Sequence, residues 1–405
     1  MKLVTKCLFY GVVLIVILKH REQFLSLWTI ETQDTDYVLD DHTPFPFDDF
    51  NYDVNKQFSY EAVAGYDSTT EKFLVFEDYF DLIENLETDQ NFFISTILDS
   101  SRIEYLKLLH WKLSEEETGQ LPLISAAIYA KNIADLCFII DATRNIPIVI
   151  SLVIDRSFFI HGYIDESVIC STFPYADTFD KTTVWFPNNL LRNVARLPNS
   201  ADALPELFLS IDVDLIPSSR FLTKINAYLQ NRQVPKDELL LIIVFETREL
   251  SAVKLIETKS ELEAFYKNGT VQIFHQWCDV CYNFYDYPKW FKLADTEEVY
   301  PGYAVNYRLS FEPYFLASNL ATPFHDPRFR GYGYNKVVHA YQLAKQKFKF
   351  MVLSDTFLIH DGIKSETSGT ASVEQEVNTR LFREAKSKIN NNIFTDFNPL
   401  HFRQQ

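Results

Sequence analysis

Between Asn91 and Asp361, short and nearly unbroken apolar runs alternate with segments whose apolar residues recur every three or four positions. NFFISTILDS (Asn91 to Ser100), LPLISAAIYA (Leu121 to Ala130) and PIVISLVID (Pro147 to Asp155) have strand composition, and so does LFLSIDVDLIP, which ends at Pro217. RIEYLKLLHWKL (Arg102 to Leu113), the segment from about Asn188 in TVWFPNNLLRNVARL, and Ser219 to Leu229 carry helical spacing. Strands apolar on both faces must be covered on both faces. The pattern therefore predicts an α/β fold, a mainly parallel sheet flanked by helices.

The second half continues the alternation. ELLLIIVFETR (Glu238 to Arg248) reads as a buried strand ending on charge, and SELEAFYKNGTV as a helix with an N-cap at Ser260 and a stop at Gly269. Gln276 to Pro313 has no steady period and reads as a segment that builds a site. A helix is expected from about Asn335 to Gln346, then strands at KFMVL and at TFLIH, the latter ending on His360. ASVEQEVNTRLFREAKSKI carries both charges and reads as an exposed terminal helix.

The first residues differ in kind. Lys2 and Lys6 precede an apolar run from Cys7 to Leu18, and Lys19, His20 and Arg21 close it. The run is short for a bilayer span, which needs roughly 20 residues, but flanking lysines can extend it by snorkelling. No small-residue cleavage site follows, so the reading is an uncleaved signal anchor. The expected organisation is a tail and anchor over 1–21, a stem and N-terminal wrap over 22–90, a catalytic domain over 91–363 and a helical extension over 364–405.

Composition narrows the chemistry. Of 405 residues 47% are apolar and 15% aromatic, enough for a large packed core. A net charge of -17 argues against nucleic acid as a partner. Five cysteines do not make a disulfide scaffold, although Cys278 and Cys281 form a C-x-x-C unit that spacing alone allows to be redox-active, half a zinc site or a local disulfide.

The chemistry concentrates in FLSIDVDLIPSS. Asp212 and Asp214, one valine apart, would point to the same face of a regular strand and repel. A hard divalent cation such as Mn²⁺ or Mg²⁺ would relieve that repulsion and leave positions for phosphate oxygens. Solvated loop acids are the plainer reading, but the apolar flanks weigh against it. In such sheets ligands sit beyond the carboxyl ends of the strands, where this pair is expected. His360, at the end of TFLIH, is a candidate third ligand, and a nitrogen donor suits Mn²⁺ better than Mg²⁺.

In order along the chain, LLRNVAR, FLSIDVDLIPS, VFETR, FEPYFLA, FHDPRFRGYGYNKV and FLIH resemble the glycosyltransferases of family 49. The resemblance implies a GT-A type fold, a type II Golgi membrane protein with its catalytic domain in the lumen, and inverting, Mn²⁺-dependent transfer from a UDP-sugar donor to a glycan of a glycoprotein. The donor sugar it favours is glucuronic acid, with xylose, N-acetylglucosamine and glucose left open. Carried residue by residue, the D-x-D falls on Asp212 and Asp214 and the closing histidine on His360. The cysteine pair Cys278 and Cys281 also resembles one in the family, set among aromatics in the same way, and a disulfide between them stays one of the open readings beside free buried thiols.

Inversion requires a base opposite the leaving group. Asp326 in FHDPRF is the preferred residue for acceptor binding or proton removal, with Glu312 in SFEPYF its rival, because the aromatics and Pro313 around Glu312 could raise its pKa. Arg192 and Arg196, four apart on one helix face, and Arg248 at a strand end are donor or diphosphate candidates, with a solvated basic face the alternative for the first two. GYGYNK lacks the phosphate-loop pattern, so Tyr332, Tyr334 and Asn335 are expected at the acceptor, the tyrosines as sugar platforms and Asn335 also as a helix cap. Asn268-Gly269-Thr270 is an N-glycosylation sequon, usable in a lumenal protein. Two other classes remain open: a catalytically silent glycan-binding or escort protein, and a metal-dependent phosphohydrolase.

Overall fold

The computed structural model describes residues 91–114, 123–131, 149–155, 186–196, 205–230, 232–249, 256–278, 284–296, 298–363 and 373–394, the strands Leu27–Trp28 and Phe73–Asp78, and scattered positions at 135–143 and 397. The candidate anchor lies outside these residues. Among the described residues no helix is long and apolar enough to cross a membrane.

The strands are β1 (Leu27–Trp28), β2 (Phe73–Asp78), β3 (Phe92–Asp99), β4 (Ile124–Ala130), β5 (Val149–Asp155), β6 (Leu207–Ser210), β7 (Leu215–Pro217), β8 (Glu238–Thr247), β9 (Val271–Ile273), β10 (Pro301–Val305), β11 (Tyr314–Ser318) and β12 (Lys349–Asp361). The helices are α1 (Ile103–Ser114), α2 (Asn188–Arg196), α3 (Phe221–Leu229), α4 (Lys259–Lys267), α5 (Tyr287–Phe291), α6 (Val337–Lys345) and α7 (Val373–Asn390). One 12-stranded sheet runs in the order β1-β2-β5-β4-β3-β6-β11-β8-β12-β10, with β7 on β12 and β9 on β8.

The expected α/β class holds. β5, β4, β3 and β6 are mutually parallel, β8 and β12 are parallel, and β11 lies antiparallel between β6 and β8. All the long central strands therefore run the same way. Their carboxyl ends share one rim, and chain order reverses between β3 and β6, the place where open sheets form a crevice. Because β11 runs the other way, its first residue, Tyr314, reaches the same rim.

Several expectations need correction. LFLSIDVDLIP is not one strand: β6 ends at Ser210, a turn closed by Leu215 N–H on the Asp212 carbonyl (3.2 Å) holds both aspartates, and β7 begins at Leu215. KFMVL and TFLIH are halves of the single strand β12, whose register against β8 shifts between Val352 and Phe357. The α4 cap is Thr258 rather than Ser260, because Thr258 and Glu261 close a reciprocal capping box. The sheet also extends beyond the expected boundary at Asn91, since β2 pairs antiparallel with β5.

The terminal helix is not an exposed extension. Leu381, Phe382, Ala385 and Ile389 of α7 are buried with Phe324, Phe329, Val337, Val338 and Tyr341 in a core separate from that of the main sheet. Tyr334 stacks on Phe382 with ring centroids 4.6 Å apart and 13° between planes. Its charged residues look outward or pair with the rim loop, which is why its sequence reads as solvated. Truncating the keystone of this core, Phe382→Ala, should cost about 3–5 kcal/mol of stability, read from the urea midpoint; a loss below about 1 kcal/mol would mean that α7 is not part of the folded unit.

Candidate active site

The turn after β6 aims its two carboxylates at different neighbours, not at one shared point. Asp212 accepts hydrogen bonds from the Tyr314 hydroxyl (2.6 Å) and the Lys336 ammonium (2.9 Å), and Arg192 approaches its other oxygen at 3.5 Å. Lys336 also donates to the Tyr314 hydroxyl at 2.8 Å, lies 4.3 Å from the centre of that ring, and stands 3.7 Å from Glu312. Asp214 pairs with Arg102, and His360 Nε2 sits 3.2 Å from the same Oδ2 atom. The i, i+2 argument for a common face fails because the pair occupies a turn.

Charge explains the arrangement. Burial pushes the Asp212 carboxyl up, yet Lys336, Arg192 and the Tyr314 hydroxyl hold it well below the usual carboxylate range. Burial and the repulsion from Asp212 also raise Asp214, but the His360 hydrogen bond and the Arg102 guanidinium prevail and lower it. The parallel sheet brings these groups together. Arg102 ends the short 3₁₀ turn after β3, which Asp99 caps by accepting from Ser101 N–H, and His360 is the last residue but one of β12.

His360 has a defined orientation. Its Nδ1 is 2.8 Å from the Gly362 carbonyl, which can only accept, so Nδ1 carries a proton. The neutral ring then turns an unprotonated Nε2 toward a carboxylate oxygen. That approach is favourable only with a proton on Nε2 or a cation shared by both atoms. A carboxylate oxygen beside an imidazole nitrogen whose other nitrogen is fixed by a backbone carbonyl is a donor pair that fits a divalent ion such as Mn²⁺. Asp212 does not converge with them. Among the described residues no cluster of three or more His, Cys, Asp or Glu side chains is arranged to hold a metal.

Residues 165–397 match the family described as "Glycosyl-transferase for dystroglycan". The chain belongs to this family. It is 33% identical over 213 residues to β-1,4-glucuronyltransferase 1 of Danio rerio, covering 51% of this chain and 48% of the relative. Against the Homo sapiens protein of that name the figures are 32% over 211 residues, 51% and 49%. Against the xylosyl- and glucuronyltransferase LARGE2 of Mus musculus they are 32% over 180 residues, 43% and 24%. The chain thus matches about half the length, or less, of these curated relatives.

The family motifs separate into site and scaffold. Arg192 points at Asp212 and is locked by Asn189 Oδ1 (2.9 Å) and Asn335 Oδ1 (3.1 Å). Arg196 does not reach the site: it donates to Asn319 Oδ1 and to the carbonyls of Asn319, Thr322 and Pro323, between the rings of Phe208 and Phe324. Arg248, the donor candidate at a strand end, is exposed just past β8. Asn335 does not cap α6, whose N-cap is Lys336; its amide donates to the Gly331 carbonyl while its oxygen holds Arg192.

Asp326 is a structural ion-pair partner. Both its oxygens are taken by the Arg328 guanidinium at 2.7–3.1 Å, and Arg328 reaches on to Glu384 of α7 at 2.7 Å. With both ends of the pair buried, Asp326 has no access to a substrate hydroxyl. Glu312 keeps a partly exposed carboxylate beside Lys336. Tyr332 is exposed, as a platform must be, whereas Tyr334 is covered by Phe382. Cys278 is disulfide-bonded; Cys281 lies outside the described residues. Asn268 is exposed beyond α4, its side chain accepting from Thr270 N–H at 2.9 Å.

Sequence reasoning missed Arg102, Tyr314 and Lys336. Their signal was positional: the first charge after a strand end, an aromatic opening a strand, and a lysine opening a helix, with nothing local to separate them from surface residues. A depressed carboxylate contributes stability that is present above its unfolded value, about 4, and is lost as pH falls through its folded value. The wild type should therefore lose stability as pH drops below about 4, and Asp212→Asn should show a shallower fall. Parallel urea-derived stability curves at pH 5, 4 and 3 would contradict the charge cage around Asp212.

Proposed function

We propose that this chain is an inverting glycosyltransferase that moves glucuronic acid from a UDP-sugar to a glycan of a glycoprotein, with Mn²⁺ as cofactor, in the Golgi lumen as a type II membrane protein. The observation that carries the chemistry is the pair Asp214–His360, a carboxylate and an oriented imidazole nitrogen at the rim of the sheet. Family membership and the glucuronyltransferase names of the relatives support the reaction class and the donor sugar. The anchored, lumenal placement rests on the pattern of residues 1–21, and the exposed sequon at Asn268 is compatible with it.

Asp214 and His360 would hold the metal, which would offset charge on the departing diphosphate. Arg192 is fixed by α2 and Asn335, a rigid positive wall behind Asp212. Glu312 is the base we assign. It takes the acceptor hydroxyl proton as that oxygen forms its bond to the anomeric carbon, and the bond from that carbon to the UDP oxygen breaks with its electron pair leaving on UDP. Lys336 lies between Glu312 and Asp212, so a proton gained by Glu312 lessens the negative charge Lys336 must balance. Tyr332 offers an exposed aromatic face to the acceptor sugar.

A panel of UDP-sugars assayed with Mn²⁺ should give EDTA-sensitive UDP release, greatest with UDP-glucuronate. No turnover with any donor would instead mark a silent relative, and phosphate release without a glycosylated product a phosphohydrolase. Glu312→Gln should lower kcat by about 10²-fold with an unchanged melting temperature. Asp326→Asn should instead cost about 3–5 kcal/mol of stability, because it strands Arg328. The reverse pattern would return the base to Asp326.

A further inference from the structure

Three arginine and lysine side chains surround the two aspartates, but they are not equally held. Arg192 is buried and bonded to Asn189 and Asn335 as well as to Asp212. Lys336 is shared among Asp212, the Tyr314 hydroxyl and Glu312. Arg102 differs. Its side chain is 47% exposed, it ends a short 3₁₀ turn, and its guanidinium rests on Asp214 Oδ2, the oxygen that His360 Nε2 also approaches.

A divalent ion bound at that oxygen would repel the guanidinium resting on the same atom and take over its role as counter-charge. A metal held by Asp214 and His360 would displace Arg102, leaving an arginine on the rim with its former partner neutralised. The nearest way for it to recover an anionic partner is to take one that arrives with the metal. A guanidinium matches two phosphate oxygens in its planar fork, so a nucleoside diphosphate is the ligand whose chemistry fits.

We propose that Arg102 is an exchanging residue of the donor site: it occupies Asp214 while the site is empty and transfers to the diphosphate when a divalent cation takes that carboxylate. The inference rests on the transferase reading, which supplies both metal and nucleotide. It makes Arg102 a competitor of the metal and a partner of the nucleotide, so its removal acts with opposite signs on the two. It also couples them, because each ligand favours the state in which Arg102 has left Asp214.

The test is calorimetric binding without turnover. Mn²⁺ titrated alone into Arg102→Gln should bind about three- to fivefold more tightly than to the wild type, the scale expected for removing a part-exposed ion pair. UDP titrated at saturating Mn²⁺ should bind about tenfold more weakly, as for loss of a charge-assisted hydrogen bond. Arg232→Gln, which breaks the surface pair with Glu298 and changes net charge equally, should move neither affinity. Arg102→Lys should keep the competition with Mn²⁺ and regain only part of the UDP affinity, since an ammonium lacks the fork.

Unchanged or weaker Mn²⁺ binding in Arg102→Gln would overturn the proposal, and so would undiminished UDP binding or an equal effect in Arg232→Gln. Those outcomes, with normal UDP binding by the wild type, leave the transferase reading standing. A wild type that binds no UDP at any Mn²⁺ concentration overturns both.

Discussion

Two carboxylates one residue apart at the rim of an apolar sheet cannot both stay ionised without positive charge around them. The rest of the rim is organised by that constraint. Lys336 and Arg192 answer Asp212, while Arg102 and His360 answer Asp214, so each acid has its own counter-charge. The division explains why the turn splays the side chains apart. A strand would have pointed both at one place and left the repulsion unrelieved.

The cage depends on a wall that is polar yet buried. Every residue of α2 from Asn189 to Arg196 is buried, and its amides and guanidinia satisfy carbonyls of the segment from Asn319 to Asn335. Asn193 bonds both the N–H and the carbonyl of His325. A loop of that length cannot pack inside a protein unless its backbone groups are paired, and α2 supplies the partners. From the other side Asn378 of α7 donates to the carbonyls of Arg330 and Tyr332. Gly331 lies between, in a left-handed conformation at φ +59, where a Cβ would run into the Glu374 carboxylate. Lys336 and Asn335 are thus held from both sides.

This scaffold divides the acidic residues by task. Asp326 is paired on both oxygens with Arg328, which ties the loop to Glu384 of α7, while Glu312 keeps a partly exposed carboxylate facing the cage. The choice between them follows from access rather than from residue type. A base must reach a substrate proton, and a carboxylate enclosed by a guanidinium cannot.

The α/β class, the approximate positions of β3, β4, β5, β8 and of α1, α2, α3 and α6, the D-x-D after a strand and the family resemblance were legible in the sequence, because hydrophobic periodicity and ordered motifs are local properties; β10, β11 and α5, short and set in an aperiodic aromatic stretch, were not. Tertiary structure alone decided which charges meet. Arg102 and Asp214 are far apart in sequence and share a rim only because β3 and β6 are parallel neighbours. Arg192 and Arg196 of LLRNVAR read alike, as donor contacts or as a solvated basic face, until the loop the helix pairs with is laid over it, and ASVEQEVNTRLFREAKSKI reads as exposed until Tyr334 covers Phe382. Residue type records what a side chain can do; its partners, which come from distant strands and loops, determine whether it binds, reacts or only holds the fold.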